Sequence, residues 1–428
     1  MKISKSIAKQ FKKSTGRRYN YLCYAPFNTL RFNEDGTVTS CCLNTESILG
    51  NINIHSIEEI IHGKARTALQ KRIKHRDLPN GCRFCINDFN NHNFNDVASK
   101  WYPPIRIKHN NPVNLEFKTS LKCNLNCIMC SNSYRVNNNQ ESNYYDYGQN
   151  FRSEIKKLIP NLINTTFNGG EPLVISLYYD IWEDLIKTNP NCLITVHTSL
   201  SVLPERFKRL LEKGNFRIVV SIDSFIPEVY ERIRRNAKYS VVKSNFDYIQ
   251  TKIKNPLGLN FCPMIKNWKE IPEFINFCNE NNIEFNFSVV YFPFTESLFN
   301  ADPSVYSERL AYLKSAYKNI SAGSNNSKFE SFLKRLEYYQ NHVIENPEFY
   351  ISKEKLITYL GKIDDTNSLL KKQINMLSEQ IEPGIYLNLF KAFGRNHKNR
   401  TINILTEMND EDLIKNTQSL ERSKYYNA

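Results

Sequence analysis

Residues 113–130 read VNLEFKTSLKCNLNCIMC: a strand-like apolar alternation runs into three cysteines, Cys123, Cys127 and Cys130, spaced C-x3-C-x2-C. A loop this short can wrap one cubane, each thiolate binding a different iron of a [4Fe–4S] cluster while the fourth iron receives no protein sulfur. Structural zinc usually takes four protein ligands, so three cysteines here would have to recruit a distant His or Cys. The preceding strand puts the loop at the carboxyl end of a sheet, where reactive groups collect in α/β folds.

Five more segments downstream carry the strand signal: INTTFNG (163–169), CLITVHTS (192–199), FRIVVSID (216–223), LGLNFCPM (257–264) and EFNFSVVYF (284–292). Helical stripes lie between them, such as Phe151, Ile155, Leu158 and Ile159, or Leu177, Ile181 and Leu185. Strand then helix, repeated, makes a parallel sheet covered by helices, either open and doubly wound or curled toward a barrel. After about residue 298 the strand signals cease. Tyr306, Leu310, Leu313 and Tyr317 form one helical stripe, Phe329, Phe332, Leu333 and Leu336 a second, and Leu370, Ile374, Leu377 and Ile381 a third; each is expected to be core.

Upstream of the linker WYPP, FNEDGTVTSCC (32–42) reads as a hairpin turning at Asp35 and Gly36, with Phe32 and Val38 on its arms. SIEEIIHGKARTALQKRI (56–73) has helical periodicity, with Ser56 as N-cap and Glu59 completing a capping box. Around these elements stand Cys23, Cys41, Cys82 and Cys85, two separated pairs able to close a four-thiolate site, with Cys42 a spare that could replace Cys41. On spacing alone a four-cysteine zinc site is a serious reading. Cys192, Cys262 and Cys278 stand alone in apolar surroundings and are expected in the core.

A chain of 428 residues exceeds the length at which one core usually splits. The organisation expected is a basic tail over 1–19, a cysteine-rich domain over 20–100, an α/β core over 101–297 and a helical region over 298–428. Eleven cysteines are too sparse for a disulfide scaffold. No window approaches the roughly 20 apolar residues of a membrane helix, and the start lacks a secretory apolar run, so a cytoplasmic protein is expected. The net charge of +14 invites a nucleic-acid reading, but lysine accompanied by Asn, Ile, Tyr and Phe is what A/T-rich codon bias produces, and a nucleic-acid partner is not expected. Within residues 1–18, which contain no acid, Ile3, Ile7 and Phe11 face away from Lys2, Lys5, Lys9 and Lys13. Such a segment suits an acidic partner, a membrane surface or a leader peptide, and equally a solvated tail.

CNLNCIMC, followed by FNGGEP after the second strand and SID after the fourth, resembles the radical S-adenosylmethionine (radical SAM) enzymes. The resemblance implies an α/β fold of the partial (β/α)6 TIM-type barrel kind, a SAM-binding [4Fe–4S] cluster, and SAM itself as ligand of the open iron. Asn168, Gly169, Gly170 and Glu171 look like the segment whose backbone lies against the SAM amino group. Ser199 corresponds to a ribose contact, although Asn is commoner there in the family. Ser221, Asp223 and Arg234 look like further polar contacts, with a capping or turn-forming role the plainer reading for each. Cys23, Gly36 and Cys41, with GNINIHSIEEI, resemble the opening of SPASM and twitch domains, which hold auxiliary [4Fe–4S] clusters; the shorter twitch type fits better. Here that domain precedes the core, whereas in the family it usually follows.

The activity implied is reductive SAM cleavage to a 5′-deoxyadenosyl radical that takes hydrogen from a substrate. That substrate is expected to be a peptide or protein, or else a carbohydrate or small metabolite. A one-electron donor such as a flavodoxin or ferredoxin is implied. A non-catalytic iron–sulfur or zinc protein that binds nucleic acid is the reading from another class.

Overall fold

The computed structural model describes residues 1–16, 18–95, 97–105, 111–130, 147–290, 296–298 and 303–345. The third helical stripe, from Leu370 to Ile381, lies outside them. The described chain divides into two compact units. The first draws on Met1–Asn126, Arg135–Ser221 and Asn236–Leu259, the second on Cys127–Tyr134, Ile222–Arg235 and the chain from Asn260 onward.

The first unit begins with α1 (Lys5–Ser14), capped by the Ser4 side chain. Ile3 and Phe11 are buried and the Phe11 ring meets Phe89 edge-on at 5.1 Å, while Lys2, Lys5, Lys9, Lys12 and Lys13 stay exposed. The amphipathic segment is therefore docked by its apolar stripe, and its lysines face water.

The hairpin follows: β1 (Thr29–Asn33) and β2 (Thr37–Thr39) pair antiparallel with Phe32 opposite Val38. Gly36 at φ +80° makes the turn, a conformation that costs glycine nothing. β3 (Gly50–Asn51) completes the ribbon. In α2 (Ile57–His62) the capping box is formed: Ser56 Oγ accepts from the Glu59 N–H (3.2 Å), and the Glu59 carboxylate accepts from the Ser56 N–H (2.8 Å). α3 (Lys64–Lys74) and α4 (Arg83–Asn90) follow.

The alternating region supplies β4 (Asn114–Lys118), α5 (Gln149–Leu158), β5 (Asn164–Phe167), α6 (Ser176–Thr188), β6 (Leu193–Thr198), α7 (Glu205–Leu211) and β7 (Phe216–Ser221). These four strands pair in parallel, in sequence order. β1 also pairs in parallel with β4, Arg31 opposite Glu116, so the strand order is β7-β6-β5-β4-β1-β2-β3. The cysteine-rich hairpin and the first α/β strand thus share one sheet.

Alternation along each strand separates two faces. Phe32, Phe117, Phe167, Val196, Phe216 and Ile218 form an apolar face, with Phe117 stacked on Phe167 at 4.7 Å. Phe151, Trp182 and Phe207 from α5, α6 and α7 pack against it. The opposite face carries Arg31, Glu116, Lys118, Thr166, His197 and Arg217. A doubly wound sheet buries both faces under helices and reads as continuous apolar runs; here only one face is apolar, as in a partial barrel with a polar interior.

In the second unit, β9 (Glu284–Phe287) lies beside the far half of β8 (Gly258–Phe261). α8 (Pro227–Ile233) belongs to this unit and α9 (Tyr239–Lys252) to the first. α10 (Ile271–Glu280), α11 (Pro303–Tyr317) and α12 (Asn326–Glu345) bury the two helical stripes expected from sequence, apart from the half-buried Tyr317; Phe332 meets Phe287 at 4.7 Å. Cys262 and Cys278 are buried here, and Cys192 in the first unit. Among the described residues no helix is long and apolar enough to cross a membrane.

Candidate iron–sulfur and cofactor sites

The N-terminal cysteines are assembled by three elements: Cys23 precedes the helical turn Ala25–Asn28, Cys41 and Cys42 follow β2, and Cys82 and Cys85 frame the start of α4. Burial pushes the thiol of Cys41 up to about 12 and that of Cys82 to about 11, and those of Cys23 and Cys85 well above their usual range. Cys23 and Cys85 are raised further by the charges of their fellow cysteines, Cys41 and Cys82 among them. Four thiols that feel one another in a desolvated space are poor isolated thiolates. A coordinated metal would supply the missing positive charge and deprotonate them.

N–H groups already point at these sulfurs: Ala25 N–H at Cys23 Sγ (3.4 Å), Asn44 N–H at Cys41 Sγ (3.3 Å) and Asn44 Nδ2 at Cys82 Sγ (3.4 Å). Cys42 is placed differently. Its sulfur is 4.0 Å from the Tyr102 hydroxyl, and after burial its thiol is raised mainly by Glu116, with Arg31 opposing. Among the described residues no three His, Cys, Asp or Glu side chains are gathered closely enough to hold a metal ion as they stand.

At the carboxyl ends of β4, β5 and β6 the loops interlock. Gly170 N–H donates to Ser120 O (3.0 Å) and Glu171 N–H to Lys122 O (2.9 Å). The buried Tyr178 hydroxyl accepts from Thr119 N–H (3.1 Å) and donates to Asn168 O (2.8 Å). A Cβ on Gly170 would stand 1.9 Å from Lys122 O, and one on Gly169, whose φ is +124°, 2.4 Å from Ser120 O. The close approach glycine permits here is to the chain itself, between the FNGGEP segment and the approach to Cys123. Gly170→Ala is expected to cost about 1–3 kcal/mol, because the obstacle is backbone and cannot rotate away; denaturant unfolding of the apoprotein measures it.

Glu171 is buried and its carboxylate is saturated. One oxygen accepts from Leu173 N–H (3.2 Å) and the Thr198 hydroxyl (2.6 Å), the other from the Ser199 N–H (2.8 Å) and hydroxyl (2.7 Å). Glu171 and Ser199, separate cofactor contacts in the sequence reading, therefore bind each other. Ser199 Oγ is 2.8 Å from Ser201 Oγ, which accepts from Asn124 Nδ2 (2.9 Å), so the network reaches the residue after Cys123. Leu200 between the serines is held at φ +53°, a conformation unusual for leucine, with its carbonyl accepting from Asn245 (2.8 Å). Asn168 Oδ1 is buried with no hydrogen-bond partner among the described residues.

Within the second unit, Cys130 N–H donates to Cys127 O (3.1 Å) and Ile128 N–H to Ile233 O (3.0 Å), fastening the last two cysteines of CNLNCIMC to the end of α8. Asp223 and Arg234 form an internal ion pair at 2.8 Å, and Asp223 Oδ1 accepts from Cys262 N–H (2.8 Å). Arg234 is pulled upward by Asp223 and then by Cys127, against the opposing effect of burial. Ser221 ends β7, half-buried.

Two residues escaped the sequence reading. Asn44, 2 % exposed, looks like ordinary loop asparagine in sequence. His197 lies mid-strand in β6 on the polar face, where burial, then Arg217 and Arg31, push its imidazole down to about 4, so it is neutral near pH 7. The HTS run marks a strand end, but only register shows which face the imidazole takes.

A model of the radical SAM superfamily matches residues 117–278, and a model of an iron–sulfur cluster-binding domain, SPASM, matches residues 23–86. The chain carries a radical SAM core. That core opens in β4, takes in Cys123, Cys127 and Cys130, and runs to Cys278; the SPASM match brackets Cys23, Cys41, Cys42, Cys82 and Cys85. Its cofactors are accordingly [4Fe–4S] clusters and SAM.

Curated relatives include a probable GTP 3′,8-cyclase of Methanocaldococcus jannaschii, 28% identical over 174 residues, covering 39% of this chain and 55% of the relative. A GTP 3′,8-cyclase of Petrotoga mobilis is 26% identical over 182 residues, covering 41% and 54%. The chain thus spans about half the length of the relatives it matches. Similar solved structures include Streptococcus suis SuiB bound to precursor peptide SuiA (15% identity, TM-score 0.35, 60% of each chain). Another is anSMEcpe with bound AdoMet (16% identity, TM-score 0.37, 48% of this chain and 60% of that one).

Proposed function

We propose that this radical SAM protein is an enzyme acting on a peptide or protein, with Cys123, Cys127 and Cys130 holding the SAM-site cluster and Cys23, Cys41, Cys82 and Cys85 an auxiliary one. The observation that carries the reading is a C-x3-C-x2-C loop at the end of β4, hydrogen-bonded through its approach to the FNGGEP segment. When bound, the cluster and SAM supply a 5′-deoxyadenosyl radical able to abstract hydrogen. The protein's work is positioning. The loops after β4, β5 and β6 form one hydrogen-bonded block, and the ion pair of Asp223 with Arg234 secures the segment after β7.

The residues fit both groups. Asn168 Oδ1 is a buried acceptor in want of a donor, which an ammonium such as that of SAM would satisfy. At the auxiliary site the N–H groups aimed at sulfur suit thiolates. They favour Cys41 over Cys42, whose neighbours are Tyr102, Glu116 and Arg31.

The SPASM match supports the peptide reading, since such domains often accompany peptide modification. A small metabolite is the second reading, favoured by the relatives named GTP 3′,8-cyclase. Anaerobic reconstitution with iron and sulfide, then reduction with SAM and an assay for 5′-deoxyadenosine, tests the activity; no product from reconstituted protein would refute it. Cys41→Ala is expected to lose about four iron atoms per chain while Cys42→Ala keeps them, as measured by iron and sulfide analysis. The reverse result would exchange the two cysteines.

A further inference from the structure

We infer that Asn44 is a positioning residue of the auxiliary site, holding Cys41 and Cys82 in register and raising the reduction potential of the cluster they would share. This rests on the auxiliary-cluster reading above.

Asn44 touches cysteines from two separate stretches of chain. Its backbone N–H donates to Cys41 Sγ at 3.3 Å, three residues back, and its side-chain amide donates to Cys82 Sγ at 3.4 Å, thirty-eight residues away. The side chain is fixed by further bonds. Nδ2 also donates to Ser47 Oγ (3.0 Å), and Oδ1 accepts from Ser47 N–H (3.0 Å). These bonds determine which way the carboxamide faces: the oxygen is committed to a backbone donor, leaving the nitrogen for sulfur.

The other wall of the site accommodates this arrangement. Gly81, next to Cys82, lies so close that a Cβ there would stand 2.1 Å from Asn44 Oδ1. Asn44 is 2 % exposed, so neither bond is shared with bulk solvent.

A donor aimed at a ligating sulfur withdraws electron density and stabilises the more negative, reduced state, so the potential rises; hydrogen bonds to sulfur are among the established determinants of cluster potential. Groups that orient metal ligands typically contribute 10–100-fold in metal affinity. Alanine or leucine at position 44 would leave Cys82 without its side-chain donor. The amide of residue 44 would still reach Cys41.

The test uses the full chain, reconstituted anaerobically, with Asn44→Ala, Asn44→Asp and Asn44→Gln. Iron and sulfide content and redox titration followed by electron paramagnetic resonance give readouts independent of turnover. Asn44→Ala is expected to shift the midpoint of the auxiliary signal negative and leave the SAM-site signal in place. Asn44→Asp, which places an acceptor and a negative charge beside Cys82, should shift it further or cost roughly 10-fold in iron retention against a chelator. Asn44→Gln, which keeps the amide, should restore part of the midpoint.

Folded Asn44→Ala with a wild-type midpoint and wild-type retention would overturn the inference. So would equal shifts in both signals, which would mark a general loosening of the fold. Wild-type protein that loads only one cluster overturns the auxiliary reading itself, and that is seen before any variant is compared.

Discussion

Replacing Cys123, Cys127 and Cys130 together by alanine is expected to reduce 5′-deoxyadenosine formation to the uncatalysed background while the chain stays folded. Cys123 is exposed and Cys130 half-buried, so truncating them removes little packing; only Cys127, 9 % exposed, contributes to the core. The β4–β5 connection depends on backbone bonds from Gly170 and Glu171 and on the Tyr178 hydroxyl, none of which uses a cysteine side chain. The variant should therefore retain its unfolding free energy to within about 1 kcal/mol and lose about four irons per chain. Product at the wild-type rate from this variant would remove the cluster loop from the mechanism.

A second large effect is expected at Asp223. The residue is fully buried and its partner Arg234 nearly so, at 2.8 Å. Asp223→Ala strands the guanidinium in a desolvated place and removes the acceptor of the Cys262 N–H. Breaking a buried pair from one side costs about 3–5 kcal/mol, whereas replacing both partners by apolar residues of similar volume is often neutral. Asp223→Leu combined with Arg234→Met should thus recover most of the stability lost in Asp223→Ala, as followed by urea unfolding. A double variant no more stable than the single one would mean that the pair is held for something other than each other. SAM affinity measured on the same proteins separates a role in binding from a role in the fold.

The local signals in the sequence were strong where structure is local. The six strands β4 to β9 lie within the segments whose apolar alternation announced them, and the hairpin turn at Asp35 and Gly36 and the capping box of Ser56 with Glu59 depend on neighbours only a few residues away. What periodicity could not reveal were pairings across long separations. Nothing in TLRFN indicates that Arg31 will lie beside Glu116, eighty-five residues on, in a parallel register.

The same limit applies at the sites. The motif FNGGEP marked a loop at the end of β5, but that Glu171 is consumed by Thr198 and Ser199 depends on the end of another strand. Asn44 and His197 have no local mark at all, since one owes its interest to Cys82 and the other to the face its strand turns inward. Residues 1–18 read as a surface for an acidic partner, a membrane or a leader peptide, or as a solvated tail; that the apolar stripe packs on the chain itself depends on Phe89, which the amphipathic pattern does not name.

The parallel pairing of β1 with β4 bears on how this protein could be cut or recombined. An uncovered strand edge offers its free amides and carbonyls to any passing chain and invites aggregation. Here the ribbon that carries Cys41 and Cys42 covers that side of β4, so the same segment that bears the cysteines also protects the edge of the parallel sheet. A fragment cut between the ribbon and β4 would bare that edge and is expected to aggregate.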